Sequence, residues 1–458
     1  MKPNILFVFS DQHRASDLGC YGNGAIQTPH FDRLAEEGVR ARTCVSNTPV
    51  CGPYRASLMT GMYTSRCRYL TNSVPFNPTR PCVGDWFQQN GYSTGYIGKW
   101  HLHFPKGKSG QGGYVPPDKR GGFRDYWRGF NGGHRYYQWT YYKDDDTKPT
   151  QSRSYQPETQ VDQALEFIGR EHEKPWILFL SWGPPHTPFN PPPGYAETYM
   201  DAPLPPNVPT GQASEYARRN LARYYGLVHS LDDAFGRLMA ELDKLSDPEN
   251  TIVVYTSDHG EMLGSHGYKG NKRWPYDASL RVPFMIRQTG RLPAGGELRQ
   301  PLGTPDLYPT LAELAGLSIP AGLDGKSAAQ PLIDGNESGR DSYAYCSMPY
   351  AYVPWPGWRA LRGERWMYAR TKNAPWLLFD MENDPHELRN LVEEAEHAPL
   401  VEKLDAELTR RMAQAGDSWN DSLEEGDWQL WSRARTSKMR ANSLGVPWPG
   451  SGGIEKAD

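Results

Sequence analysis

Residues Asn4 to Ser10 read NILFVFS, an unbroken apolar run of strand length that ends at Asp11. A strand apolar on both faces has to be covered on both, which places it at the centre of a parallel sheet between helices. The chain repeats that grammar. Tyr92 to Ile97, Trp176 to Ser181 and Thr251 to Ser257 are further strand-like runs, with helices expected over 158–172 and 214–245, the alternation of a doubly wound sheet. Polar groups follow each run: Asp11-Gln12, Gly98-Lys99-Trp100-His101, Pro184-Pro185-His186 and Asp258-His259. Sites in open parallel sheets form outside the carboxyl ends of the strands, so this layout predicts that these groups share one crevice.

Thr28-Pro29 opens a capped helix that Gly38 stops, Asp85 to Asn90 is the end of a helix before Gly91, and Thr304-Pro305-Asp306 starts one that runs to Gly316. Arg42 to Ser46 and Val282 to Arg287 read as strands. Residues 105–157 show no period and read as a long insertion. Its aromatic residues Tyr136, Tyr137, Trp139, Tyr141 and Tyr142, with Trp355 and Trp358, either wall a ligand or pack between domains. Beyond about Asp334 the texture changes to short aromatic strands, Tyr343 to Ser347, Trp358 to Leu361, Arg365 to Arg370 and Trp376 to Asp380. A hairpin turn is expected at Arg362-Gly363-Glu364 and a helix from about Pro399 to Ala413. The expected division is a catalytic domain over 1–335, an antiparallel-sheet subdomain over 336–430 and an irregular tail over 431–458. A chain of 458 residues suits more than one core.

A net charge of −3 and the absence of a Lys/Arg-rich block argue against a nucleic-acid or membrane-surface partner. No apolar stretch is long enough to span a bilayer, and Ile5 to Phe9 runs straight into polar residues, so the expected location is cytoplasmic. Six cysteines without a CxxC pair indicate neither a disulfide scaffold nor a zinc ribbon. Assembly into a homo-oligomer is left open.

Cys51-Gly52-Pro53-Tyr54-Arg55 through Thr60-Gly61 reads as a short helix, with Pro53 in the first turn and Gly61 as a left-handed cap. A cysteine at its mouth faces free backbone N–H groups, which favour a reactive thiolate or a bound oxyanion, and Arg55 adds a fixed cation. A buried structural cysteine fits the same residues. Asp11 with Gln12 and Asp258 with His259 are two doublets of hard or borderline ligands; with an oxygen from position 51 they can enclose one divalent cation. Asp258 as a helix cap and His101-x-His103 as a zinc pair are the competing readings.

The pattern Cys-x-Pro-x-Arg followed by Ala-Ser-Leu-Met-Thr-Gly resembles the signature of the type I sulfatases, members of the alkaline-phosphatase superfamily. The likeness spans Asn4 to about Asn390, with LDGKS at 323–327 and FDMENDPHEL at 379–388. It implies an α/β fold: a large mixed, mostly parallel sheet sandwiched by helices, with a smaller C-terminal domain of antiparallel sheet plus helix. It also implies that a maturing enzyme oxidises Cys51 to Cα-formylglycine, whose hydrated aldehyde is the nucleophile. The metal would be held by Asp11, Gln12, residue 51, Asp258 and His259. Calcium comes first by family habit, while two carboxylates, an amide and an imidazole also suit manganese or zinc.

Lys99 and His101 match the family's Lys-x-His element, the lysine contacting formylglycine and sulfate and the histidine deprotonating the second hydroxyl of the hydrate. His186 and Lys272 match elements on the leaving-group side, with Lys269 and Arg273 as rivals of Lys272. Asn72 matches an asparagine that contacts the transferred group. Gln12 departs from the commoner Asp-Asp form and resembles the choline-sulfatase and phosphonate-monoester-hydrolase branch. The implied activity is hydrolysis of a carbohydrate or small organic sulfate monoester. Phosphonate monoester or phosphodiester hydrolysis is the alternative, and a non-catalytic binding protein with unconverted Cys51 is the alternative of another class. His13, His134 and His229 receive no role.

Overall fold

The computed structural model describes residues 2–72, 74–104, 113–244, 248–270, 272–349 and 357–419. The expected tail over 431–458 and Trp355 lie outside them. Five parallel strands form the centre: β1 (Asn4–Asp11), β2 (Ser93–Lys99), β3 (Tyr126–Phe130), β4 (Trp176–Pro185) and β5 (Thr251–Ser257), in the spatial order β5-β1-β4-β2-β3. β1 is central, as its two apolar faces require: Ile5, Phe7 and Phe9 enter one core layer and Leu6 and Val8 the other. Helices α1 (Pro29–Glu37), α3 (Gln156–Ile168) and α4 (Gln212–Leu242) cover the Leu6 face, and α2 (Cys51–Thr60) packs on the Phe9 face. No described helix is long and apolar enough to cross a membrane.

Five further strands make the sheet mixed. Phe284–Arg287 pairs antiparallel with β5, followed outward by Val39–Ala41 and Gly296–Leu298. On the other edge, Trp139–Lys143 pairs antiparallel with β3 and is followed by Thr150–Ser152. Residues expected as one unpatterned insertion therefore contribute three strands to this sheet. β3 escapes a period-2 reading because polar Arg128 is buried in it, paired with Asp144 and Glu166 and stacked on Tyr126. The strand expected over Val282 to Arg287 divides, since Arg281–Val282 leaves for a small sheet with Cys44–Val45 and Leu302–Gly303.

A four-stranded antiparallel sheet, Tyr343–Met348, Trp358–Gly363, Trp366–Thr371 and Pro375–Asp380, follows in chain order. Its turn falls at Glu364 and Arg365, one residue later than expected. One face packs on the helix Ala398–Gln414, and the other on residues 262–280 of the main body.

Of the two readings of the aromatic residues, packing holds for most of those described. Trp139 lies between Phe130 and Tyr141, Tyr137 rests on Tyr155, and the buried Trp358 indole donates to the Arg273 carbonyl. The Thr28 side chain does not cap α1; its hydroxyl serves Gly19 N–H and Asp32 instead.

β2 depends on a glycine just before Lys99. Gly98 has φ +100°, and a Cβ there would sit 2.0 Å from the Ser181 carbonyl oxygen of β4. Gly98→Ala should therefore cost about 1–3 kcal/mol, read as a lowered urea midpoint. By displacing Lys99 it should also reduce turnover about 100-fold.

Candidate active site

All five parallel strands point their carboxyl ends at one edge, and the residues just beyond meet there. Asp11 ends β1, Lys99 ends β2, His186 follows β4, and Asp258 and His259 follow β5. The fifth end, β3, leads to His134, whose imidazole lies flat on that of His186 with ring centroids 3.6 Å apart and planes 6° from parallel. Facing this row is the first residue of α2, Cys51, buried, with Gly61 at φ +64° closing the helix.

Cys51 Sγ lies 3.2 Å from His259 Nε2, 3.4 Å from Lys272 Nζ and 3.6 Å from Asp11 Oδ1. Lys99 Nζ donates to Asp11 Oδ2 at 2.5 Å. Arg55 Nη2 lies 3.5 Å from Asp11 and 3.4 Å from Asp258, while its Nη1 donates to the Lys99 carbonyl and to Ser181 Oγ. Lys272 also donates to Gln12 Oε1 at 3.0 Å and meets His186 Nε2 at 2.9 Å. His186 Nδ1 is 2.7 Å from the Thr187 carbonyl, so Nδ1–H donates there and Nε2 is left to accept from Lys272. Of the rivals, Arg273 points its carbonyl at Trp358, and Lys272 is the residue that reaches Cys51.

Asn72 Oδ1 accepts the Gly52 backbone N–H at 2.8 Å, which satisfies a donor at the open end of α2. His101 has φ +58°, its N–H donates to the Asn131 carbonyl at 2.6 Å, and its Nδ1 is buried without a partner among the described residues. Gln12, also at positive φ, donates its amide to the buried Glu261 and its backbone N–H to Asp258.

Among the described residues, Asp11, Cys51, Asp258 and His259 offer ligand atoms within 4.8 Å of one another, and His101 and His103 form no such group. His259 Nδ1 is 2.9 Å from the Gly260 carbonyl; donating there, it turns Nε2 toward the carboxylates, as a ligating imidazole does when its other nitrogen is hydrogen-bonded. Two carboxylates and an imidazole suit a divalent cation. The thiol is the one soft donor in the set, and an oxygen at position 51 would remove the mismatch.

The charges interact strongly. Burial pushes Asp11 up, but the charge of Lys99 first, then those of Lys272 and His259, hold it well below the carboxylate range. Burial and the Asp11 charge push Asp258 up to about 6, as expected of two carboxylates sharing one site. Burial and Asp11 likewise push the Cys51 thiol up, yet Lys272, Lys99 and His259 bring it down to about 5. His101 is held neutral, first by burial and then by Lys99 and Arg55; His186 is held neutral by burial and Lys272.

Sequence reasoning gives no role to His134 and does not single out Glu261, whereas Tyr136, one of the aromatic candidates, holds the His186 carbonyl. The signal for His134 was its position after a strand; with β3 unread, the Gly132-Gly133-His134 turn looked like part of an insertion. Glu261 sits three residues beyond Asp258, where no strand end or ligand doublet marks it in the sequence.

The Sulfatase family profile matches residues 3–317, and that of the N-sulphoglucosamine sulphohydrolase C-terminal region matches 264–414. An ulvan-active sulfatase of Formosa agariphila is 34% identical over 428 residues, covering 91% of this chain and 82% of its own. A solved structure in complex with its substrate D-glucosamine-2-N,6-O-disulfate superposes at TM-score 0.80 with 25% identity, covering 93% of this chain and all of its own (100%). The phosphonate monoester hydrolase of Agrobacterium radiobacter shares the fold, at TM-score 0.74 and 21% identity over 93% of this chain and 98% of its own. The chain belongs to the sulfatase family, a family of sulfuric ester hydrolases. Its members cleave sulfate monoesters, and the family implies a formylglycine and a metal ion.

Removing Arg55 would leave Asp11 and Asp258 as neighbouring buried charges. Arg55→Ala should cost about 3–5 kcal/mol in chelator-treated protein. Added calcium or manganese should restore part of that loss by neutralising the same carboxylates, read as a rise in thermal midpoint.

Proposed function

We propose that this protein hydrolyses sulfate monoesters of carbohydrates, with residue 51 acting in its formylglycine form. The observation that carries this reading is the setting of Cys51: the first residue of a helix, buried, and within 3.6 Å of an acid, an imidazole and an ammonium group. The carbohydrate part is supported by the ulvan-active and glucosamine-disulfate-bound relatives. Residues 1–335 are the catalytic unit in this reading and 336–430 a supporting one.

A divalent cation, calcium by family habit, would be held by Asp11, Gln12, Asp258, His259 and the oxygen at position 51, and would supply Lewis-acid charge there. In its formylglycine form residue 51 would supply, as the hydrate, a nucleophilic oxygen and a second hydroxyl. Arg55 and Lys99 hold the nucleophile side and stabilise charge on the equatorial oxygens. Asn72, bound to the second residue of α2, fixes the helix mouth and borders the transferred group. Lys272 carries a proton to His186 Nε2, so these two form the unit that protonates the departing alcohol. His101, kept neutral by burial and by Lys99 and Arg55, is the base for the second hydroxyl.

Sulfate and phosphonate ester transfer have transition states of similar shape and different charge, so relative rates discriminate between them. Metal-loaded enzyme should turn over an aryl sulfate faster than an aryl phosphonate ester. A strong preference for the phosphonate would overturn the reading. Within a panel of sulfated sugars and choline sulfate, a sugar should give the highest kcat/KM. Cys51→Ala should keep its fold and lose turnover, with intact-mass spectrometry confirming that active wild type carries formylglycine.

A further inference from the structure

Residues 131–136 have no part in the mechanism above, yet they tie together the two histidines it uses. The Asn131 carbonyl accepts from His101 N–H, and its side chain pairs with the His103 backbone in both directions, at 2.9 and 2.6 Å. Tyr136 donates its hydroxyl to the His186 carbonyl and lies 3.2 Å from the Gly183 carbonyl. Between these anchors the His134 ring covers one face of His186 at 3.6 Å, the van der Waals thickness of an aromatic ring. Its Nδ1 is buried, and neither ring nitrogen has a hydrogen-bond partner among the described residues. The specific contact shown for the His134 ring is thus the stack.

The imidazole of His186 is held in its plane by the Nδ1–H bond to the Thr187 carbonyl and, at the far edge, by Lys272. These two bonds lie near one axis through the ring. Rotation about that axis would leave both nitrogens in place but tilt the ring and turn the Nε2 lone pair away from Lys272, and a flat group in contact with one face opposes that tilt. We propose that His134 is a positioning residue for the leaving-group histidine, fixing the plane in which His186 and Lys272 deliver a proton to the departing oxygen. This rests on the sulfatase reading and on the assignment of His186 to the leaving group.

The consequence depends on the leaving group. A sugar alkoxide needs a proton as the S–O bond breaks, whereas 4-nitrophenolate leaves as a stable anion. His134→Ala in metal-loaded, converted enzyme should lower kcat on a sulfated monosaccharide by about 10–100-fold, within the range of general-acid contributions. It should change kcat on 4-nitrophenyl sulfate by less than about twofold, because no proton is required there. His134→Phe, which keeps a flat ring, should recover most of the loss.

The double variant with His186→Ala should lose no more on the sugar sulfate than His186→Ala alone. Equal losses on both substrates, no recovery by phenylalanine, or additive losses in the double variant would each overturn the proposal. Wild type that turns over neither substrate would instead overturn the sulfatase reading itself. The phenylalanine variant decides the matter if the alanine variant fails to fold.

Discussion

The guanidinium of Arg55 is the contact on which the site depends. It projects from α2, lies over the Phe9 ring, approaches Asp11 and Asp258, and donates to the Lys99 carbonyl and Ser181. One buried cation is thereby shared by the ends of four parallel strands. A buried charge of this kind is tolerated because both of its terminal Nη atoms meet acceptors, and removal of either partner leaves the other uncompensated in a medium of low dielectric. The arrangement fixes α2 against the sheet edge, and with it the distance from residue 51 to every other group.

The same edge gathers two carboxylates, two lysines, an arginine and four imidazoles. Their mutual influence is visible in Asp11 and Asp258, adjacent carboxylates pushed in opposite directions because the lysines crowd Asp11 while Asp258 faces Asp11 itself. A preorganised set of donors and cations around residue 51 is the arrangement that electrostatic stabilisation of a developing anion requires.

The C-terminal sheet has its own part in this geometry. Lys272 lies on the irregular segment between β5 and Phe284, and the far sheet holds that segment by the Trp358 indole on the Arg273 carbonyl and the Glu387 carboxylate on the Asp277 N–H. Arg273, at φ +92°, adopts a backbone that a side-chain-bearing residue rarely takes, and these contacts sustain it. Lys272 is therefore placed by two bodies of structure, whereas Lys99 is placed by one strand.

Local order was legible in the sequence wherever a segment carries its own signal. The apolar runs of β1, β4 and β5 announce burial on both faces, Pro53 and Gly61 mark the ends of α2, and the doublets after the strands reveal a shared edge because parallel strands all end on one side. From those signals Asp11, Lys99, Cys51, Asp258 and His259 can be placed together, and the motif around Cys51 adds the chemistry. Only the tertiary structure decided what rests on partners distant in the chain. Arg128 can sit in β3 because Asp144 and Glu166 reach it, so that strand and His134 beyond it stay hidden from any local pattern. Lys272 is selected over Lys269 and Arg273 by a sheet some 85 residues later, and His134 acquires its place by stacking on a ring 52 residues away. Periodicity reports what a segment buries, whereas these positions depend on which groups fold back to meet it.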